Sequence, residues 1–211
     1  ELAIEDLLAH PPIDLDPGPV RDLVAGRSVM ITGAGGSIGS ELCRQLAAFE
    51  PRALLLFERY ENTLHDIANE LRARWPALDI RPLVGDISDA TRLTEVCSRY
   101  APHIVFHAAA NKHVPLMEAS PFEAIKNNVF GTLQVVDVAA RFGVERFILI
   151  STDKAVNPTS AMGVSKRVAE MIVQSKNGSS RTVFAAVRFG NVLASNGSVV
   201  PRFLAQIKAG G

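Results

Sequence analysis

The chain is predicted to fold as α/β: a doubly wound parallel sheet with helices on both faces, preceded by a short N-terminal arm. Three observations carry this. Six short runs rich in Val, Ile and Leu alternate with longer stretches of helical periodicity. The runs are apolar throughout, as strands covered on both faces should be. A glycine-rich turn, Thr32-Gly33-Ala34-Gly35-Gly36-Ser37-Ile38-Gly39, joins the first run to the first helical stretch.

Taken in chain order, residues 1–25 are expected to form an arm or linker. Ile4, Leu7 and Leu8 give it a brief apolar periodicity, and four prolines at positions 11–19 exclude a continuing helix or a central strand. Residues 26–211 are expected to form one doubly wound domain, with a further C-terminal portion cut short. Strands are expected at 28–32, 53–57, 80–84, 103–107, 146–150 and 182–187, and helices at 37–49, 62–74, 89–100, 121–142 and 160–175. Within 121–142, Ile125, Val129, Leu133, Val136 and Ala140 recur at three and four residues and mark the expected buried face.

Composition narrows the classes of function. The 211 residues are 47% hydrophobic and 21% charged, which suits a soluble globular chain with a sizeable core. Lys and Arg number 22 against 22 Asp and Glu, so there is no basic excess to attract nucleic acid or an anionic membrane. Cys43 and Cys97 fall in helical stretches without metal or disulfide spacing, and read as core thiols of a reducing cytoplasm. No metal site is expected, and no apolar run reaches the ~18 residues that would cross a bilayer. Beginning at Glu1 and ending just after a helical stretch, the chain reads as a fragment.

The glycine turn is the first candidate site. Gly33 permits a tight turn, Gly36 lets backbone approach a pyrophosphate, and Gly39 lets the helix pack closely on the sheet. The helix start then presents N–H groups and a positive dipole end to phosphate. This is the Rossmann-type arrangement. Glu58 follows Gly39 by 19 residues, where a carboxylate would accept from ribose hydroxyls and repel a 2′-phosphate, favouring NAD. Arg59 could instead grip that phosphate, which keeps NADP open as the lesser alternative. Asp86 follows the third strand and would either accept from the adenine amino group or cap a helix, although Ser88 could serve as that cap.

Four further stretches go beyond a generic nucleotide-binding domain: His107-Ala108-Ala109-Ala110-Asn111-Lys112-His113-Val114-Pro115, Asn127-Asn128-Val129-Phe130-Gly131-Thr132, Ser151-Thr152-Asp153-Lys154-Ala155-Val156-Asn157-Pro158-Thr159, and Met162-x-x-x-Lys166. With the glycine turn they resemble the extended short-chain dehydrogenase/reductases. Within these the chain is similar to the UDP-N-acetylglucosamine 4,6-dehydratases of bacterial polysaccharide (capsule and O-antigen) biosynthesis, in the subgroup with Met in place of Tyr. The resemblance implies a redox-neutral dehydration. Hydride leaves sugar C4 for NAD, water is eliminated across C5 and C6, and hydride returns to C6 to give a UDP-4-keto-6-deoxy sugar.

By this resemblance Thr152 would hold O4, Asp153 would be the acid for the departing hydroxyl and Lys154 the base for the C5 proton. A lysine with its ordinary pKa of ~10.4 needs desolvation or a nearby cation to act as a base, and Lys166 could supply that cation. An aspartic acid donates only if its pKa is raised. Lys166 would also bind the nicotinamide ribose. Met162 stands where the superfamily has a proton-shuttling Tyr. A thioether cannot shuttle a proton, so Asp153, a water chain or Lys166 does that work, or the chain is catalytically silent.

The same resemblance adds Ser37, Ile38, Ile87, Ala108, Ala109, Ala110 and Asn128 to the cofactor contacts. It points Asn191, Ser198, Val199 and Phe203 at the UDP group, while Lys112 and His113 could reach the sugar. His107 is expected to pack beneath the cofactor loop. Relatives pair through their long helices, here those around residues 132–140 and 166–173, so a homo-oligomer is expected. Some relatives are tethered to the inner membrane by upstream spans, for which the proline-rich arm would suit. The competing readings are a UDP-sugar epimerase of the same superfamily and a non-catalytic dinucleotide-binding module.

Overall fold

Strand β1 (Ser28–Thr32) lies near the middle of a six-stranded parallel sheet in the computed structural model, which describes residues 16–190 and Val192. It pairs with β2 (Ala53–Glu58) on one side and β4 (Ile104–His107) on the other. Beyond β2 lies β3 (Asp79–Val84), and beyond β4 lie β5 (Arg146–Ile150) and β6 (Val183–Val187). The order β3-β2-β1-β4-β5-β6 reverses its winding direction between β1 and β4, and the crevice at such a switch point is where these sheets bind ligands. Every strand falls within one residue of its expected ends.

Alternate side chains of the central strands feed two apolar clusters, one on each face. Val29, Ile31, Leu54 and Leu56 pack with Cys43 and Leu46 of α2 (Ser37–Ala47) and with Leu64, Ile67 and Leu71 of α3 (Glu61–Arg74). Met30, Leu55, Val105, Phe147 and Leu149 pack with Leu93 and Val96 of α4 (Ala90–Tyr100) on the other face. Each such side chain withdrawn from water contributes about 1.5–3 kcal/mol, which makes this layering the main stabilising term. The thiols of Cys43 and Cys97 are free and buried, and burial pushes them up to about 12 and about 11.

The structure corrects several details. Burial on both faces holds throughout β1 and β2 but fails at the edges, where β3 buries only Ile80 and Leu83 and β6 only Phe184. An edge strand has a neighbour on one side only, and Pro82 is tolerated there because it costs no ladder donor. The expected arm contains a helix, α1 (Gly18–Val24), whose N-cap is Pro17 and whose first turn holds Pro19. Proline is disfavoured inside a helix but not in its first turn, so the proline run marks a helix start. Val24 is fully buried beside Val29 and Ile31, which places the beginning of the core before residue 26.

The stretch 121–142 is not one regular helix. It comprises α6 (Pro121–Ala124), a π-helical segment (Ile125–Gly131) and α7 (Thr132–Arg141). The wider π turn rotates the helix face, so the anticipated stripe is displaced. Ile125 is 41% exposed, and Val129, Leu133 and Ala140 are half-buried. Of the expected stripe only Val136 is buried, joined by Asn127, Asn128, Gly131, Thr132 and Val135. A Cβ on Gly131 would lie 2.7 Å from Ile87 Cδ1, so a larger residue here would have to displace the Ile87 side chain.

A short unanticipated helix, α5 (Val114–Ala119), precedes this segment and meets the start of α8 (Ala161–Ser175). The first turn of α8 is satisfied twice: Gly163 N donates to Ser160 Oγ at 3.1 Å, and Ala161 N to Glu118 Oε1 at 2.6 Å. Among the described residues no helix is long and apolar enough to cross a membrane.

Candidate functional site

The glycine turn leaves β1 at the switch point and lines a cleft with Glu58, Arg59, Asp86, Ile87 and Ala108 to Ala110. Gly33 has φ +71°, and a Cβ there would lie 2.7 Å from Ala109 N. A Cβ on Gly39 would run into the Gly33 carbonyl oxygen, so this glycine is fixed by the approach of α2 to the turn. Gly36 differs: a Cβ would meet only Gly33 O, at 3.3 Å, so packing barely demands glycine and the open side faces the cleft. Gly36 is also the N-cap of α2 and gives it no side-chain cap. A helix start uncapped by a side chain, at a cleft with room at Gly36, fits the phosphates of a dinucleotide.

Glu58 is 7% exposed, and its carboxylate braces the turn. Oε1 accepts from Arg59 N at 2.8 Å and Tyr60 N at 3.0 Å, while Oε2 accepts from Gly35 N at 3.1 Å. Arg59 is also engaged. It donates to Tyr60 Oη at 3.1 Å and Asn111 Oδ1 at 3.2 Å, and lies 3.8 Å from Asp86 Oδ2. Burial alone would push the Asp86 carboxyl up, but hydrogen bonds from Ser88 N and Oγ and the charge of Arg59 hold it below its ordinary range. The alternatives for Asp86 and Ser88 are corrected by one distance: Asp89 caps α4, accepting from Arg92 N at 2.9 Å, so neither residue does.

His107 is fully buried beneath the turn. Its Nδ1 lies 2.6 Å from Thr32 Oγ1 and its Nε2 3.0 Å from Thr132 Oγ1. Burial, helped by the Lys166 charge, pushes this imidazole down to about 3, so it is neutral at physiological pH. Asn128, expected as a cofactor contact, turns instead to the protein. Its Oδ1 accepts from Asn111 N at 2.8 Å, and its Nδ2 donates to Asn111 O and Ser165 Oγ, both at 3.0 Å. Its neighbour Asn127 lines the cleft.

Past β5 the chain makes a 3-10 turn (Asp153–Ala155) with Thr152 as its N-cap. Asp153 Oδ1 accepts from Thr152 Oγ1 at 2.9 Å and from Lys154 Nζ at 3.1 Å. The hydroxyl of Thr152 and the amine of Lys154 hold the Asp153 carboxyl below its ordinary value, and 55% of its side chain is exposed. The raised pKa that an acid role requires is therefore absent in the uncovered turn. Lys166 is 5% exposed and donates from Nζ to Ile150 O at 2.8 Å. Burial lowers its pKa to about 8, against the raising influence of Glu170.

Met162 is 3% exposed and clusters with Met117 and Ala124, beside Val114. Lys112 and His113 are exposed at the start of α5 and are not among the residues lining the cleft. Asn191, Ser198, Val199 and Phe203 lie outside the described residues. Sequence reasoning missed Tyr60, Thr63, Gly85 and Asn127, all of which line the cleft. It also missed Glu170, whose spacing of four from Lys166 on one helix was the available signal.

Residues 29–211 match the family model described as polysaccharide biosynthesis protein. The chain is 48% identical over 212 residues to the probable polysaccharide biosynthesis protein EpsC of Bacillus subtilis (strain 168), covering 100% of this chain and 36% of that protein. It is 35% identical over 188 residues to a UDP-N-acetylglucosamine 4,6-dehydratase (inverting) of Campylobacter jejuni, covering 87% of this chain and 54% of that one. A UDP-glucose 4-epimerase of Rickettsia rickettsii matches comparably, at 37% over 191 residues, with 87% and 54% covered. Among solved structures, Pen from Bacillus thuringiensis superposes with a TM-score of 0.82 at 36% identity, covering 88% of this chain and 58% of that one. The chain thus spans roughly a third to a half of the length of these curated relatives.

Proposed function

The chain belongs to the polysaccharide biosynthesis protein family, and from that premise we propose that it is the cofactor-binding core of a UDP-N-acetylhexosamine 4,6-dehydratase. The observation that carries this reading is the Thr152-Asp153-Lys154 turn at the carboxyl end of β5, with Lys166 buried against the last residue of the same strand. A simple 4-epimerase has no use for an acid and a base that eliminate water, and this turn offers both groups side by side. The likeness to the Campylobacter dehydratase supports the same reading, and the likeness to the Rickettsia epimerase keeps the epimerase as its rival.

In this proposal the glycine turn and the start of α2 bind the dinucleotide phosphates, and the Glu58 carboxylate borders the adenosine ribose. NAD is favoured over NADP because Glu58 would repel a 2′-phosphate and Arg59 is already engaged with Tyr60, Asn111 and Asp86. Bound NAD would take up hydride from sugar C4 and return it to C6. Lys166 holds the nicotinamide ribose as a buried cation. Thr152 holds O4. The Asp153 carboxylate takes the O4 proton as hydride leaves C4, and passes it to the departing C6 hydroxyl once the sugar covers the turn and strips it of water. Lys154 removes the C5 proton and returns one to C5 as hydride reaches C6. Met162 serves as packing against Met117 and Ala124, and the protein pairs with a second copy through its long helices.

The test uses the full-length natural protein with NAD and UDP-N-acetylglucosamine in heavy water, followed by mass spectrometry of the sugar nucleotide. Loss of one water with uptake of one solvent deuterium is the expected result. An unchanged mass with a new isomer on chromatography would make the protein an epimerase. Neither change, with NAD bound, would leave a silent binding module for this sugar.

A further inference from the structure

Glu170 is the most enclosed carboxylate among the described residues, with a side chain 1% exposed, and the chemistry above makes no use of it. It accepts four hydrogen bonds. Ser151 Oγ donates to Oε1 at 2.6 Å, Arg188 donates from Nε to Oε1 at 2.8 Å and from Nη2 to Oε2 at 2.6 Å, and Arg167 donates to Oε2 at 3.0 Å. Ser151 is the first residue after β5 and Arg188 the first after β6. From this joint the two chains leave the sheet side by side: Ser151 N donates to Val187 O at 2.7 Å and Asp153 N to Phe189 O at 3.1 Å. One turn earlier in α8, Lys166 holds the Ile150 carbonyl. Two residues of one helix face therefore grip two successive residues leading into the Thr152-Asp153-Lys154 turn.

Burying one carboxylate against guanidiniums that stay about two-fifths exposed is a poor device for stability alone, because the cost of desolvating the carboxylate consumes much of the attraction. The ladder of β5 and β6 already joins these strands as far as Ile150 and Val187. What the carboxylate adds lies beyond the ladder, where a bidentate guanidinium fixes direction as well as distance. We infer that Glu170 is a positioning residue: by holding Ser151 and Arg188 together it sets the Thr152-Asp153-Lys154 turn against the segment 188–190. Gly190 of that segment sits next to the turn, at ordinary contact distance: a Cβ there would lie 3.6 Å from Asp153 Oδ2. The consequence for turnover rests on the dehydratase reading, whereas the positional claim does not.

The experiment compares the full-length NAD-loaded protein with Glu170→Gln and with the double variant Glu170→Gln/Arg188→Met, which removes the Glu170–Arg188 charges together and leaves Arg167, 40% exposed, to solvent. Two quantities are read: kcat and KM for UDP-N-acetylglucosamine, and hydrogen exchange at the Ser151 and Asp153 amides. Glu170→Gln is expected to lower kcat about 100-fold with little change in KM, as a misplacement of about 1 Å does. Exchange at both amides should rise at least about tenfold while β1 amides stay protected. The double variant should regain the wild-type melting temperature without regaining kcat. Wild-type exchange at Ser151 and Asp153 in Glu170→Gln would overturn the inference, and so would recovery of kcat together with melting temperature in the double variant. A wild-type protein that leaves UDP-N-acetylglucosamine unchanged would defeat the dehydratase reading instead, and the exchange result would then decide the position of Glu170 alone.

Discussion

Lys166 donates to the carbonyl oxygen of Ile150 at 2.8 Å, and this single bond joins the middle of α8 to the last residue of β5. The ammonium is 5% exposed, and burial depresses its pKa to about 8 even with Glu170 pulling the other way. A group so costly to bury, kept beside the turn that carries Asp153, is what the proposed nicotinamide site would use and an apolar core would not.

Lys166→Met is therefore expected to stabilise the protein while weakening cofactor binding. Below pH 8 the folded and unfolded chains both carry the proton, and folding bears the whole cost of burying it. Between about 8 and the unfolded value of 10.5 the folded chain releases the proton first, so wild-type stability rises with pH across that window. Methionine removes the cost at pH 7, on the order of 1–3 kcal/mol, and the advantage shrinks towards pH 10. Thermal melts of both proteins at pH 7 and 10 check this, and a lower melting temperature for the variant at pH 7 would contradict it.

The strands and the glycine turn were legible because both depend on local letters: a continuous apolar run, and glycines where Ala109 and the Gly33 carbonyl crowd the backbone. The π-helical segment was not. A periodic stripe through Ile125, Val129 and Leu133 argues for a regular helix, and what overrides it is a set of long-range partners for Asn128 at Asn111 and Ser165. The first turn of α1 was hidden by prolines that read as breakers and act as a helix start, and Pro115 likewise stands in the first turn of the unanticipated α5. The residue types of the Thr152-Asp153-Lys154 turn could be read, but not their environment. Exposure and the neighbouring hydroxyl and amine are properties of the fold, and they depress the acid that the chemistry needs raised.

Met162 tests whether the superfamily's Tyr position matters here. It is enclosed by Met117, Ala124 and Val114, so Met162→Leu, which conserves volume, should cost under about 1.5 kcal/mol and leave turnover within about twofold. Met162→Tyr must fit a larger ring and find a partner for its hydroxyl, and should lower stability by about 1–3 kcal/mol. Urea melts and dehydration rates measure both effects. A large loss of turnover in Met162→Leu with unchanged stability would assign the thioether a role beyond packing.

Asp153→Asn and Lys154→Ala address the two sides of the proposed elimination. Each removes a group for proton transfer, and each is expected to lower dehydration by about 10²–10⁴-fold. Neither residue lines the glycine cleft, so NAD affinity should stay within about threefold. Mass spectrometry of the product and titration of NAD fluorescence separate the two quantities. Near-normal turnover in either variant would remove that residue from the chemistry.

His107 sets the acid side of the stability profile. Burial, with the Lys166 charge behind it, takes the imidazole from 6.5 to about 3, while Thr32 and Thr132 occupy both ring nitrogens. Above pH 6.5 both folded and unfolded chains carry it neutral. Below 6.5 the unfolded chain takes up a proton that the folded chain refuses, so stability falls with pH by about 1.4 kcal/mol per unit. Glu170, held at about 2 against an ordinary 4.5, adds its own loss only below pH 4.5, so between 6.5 and 4.5 His107 shares the window with His103, whose imidazole burial and the Arg52 and Arg27 charges also push down. His107→Gln keeps polar atoms that can face the two threonines and cannot titrate. Its melting temperature should start lower than wild type at pH 7 and change less between pH 6.5 and 5. Parallel pH profiles for the two proteins in that window would mean that His107 is not the group that titrates.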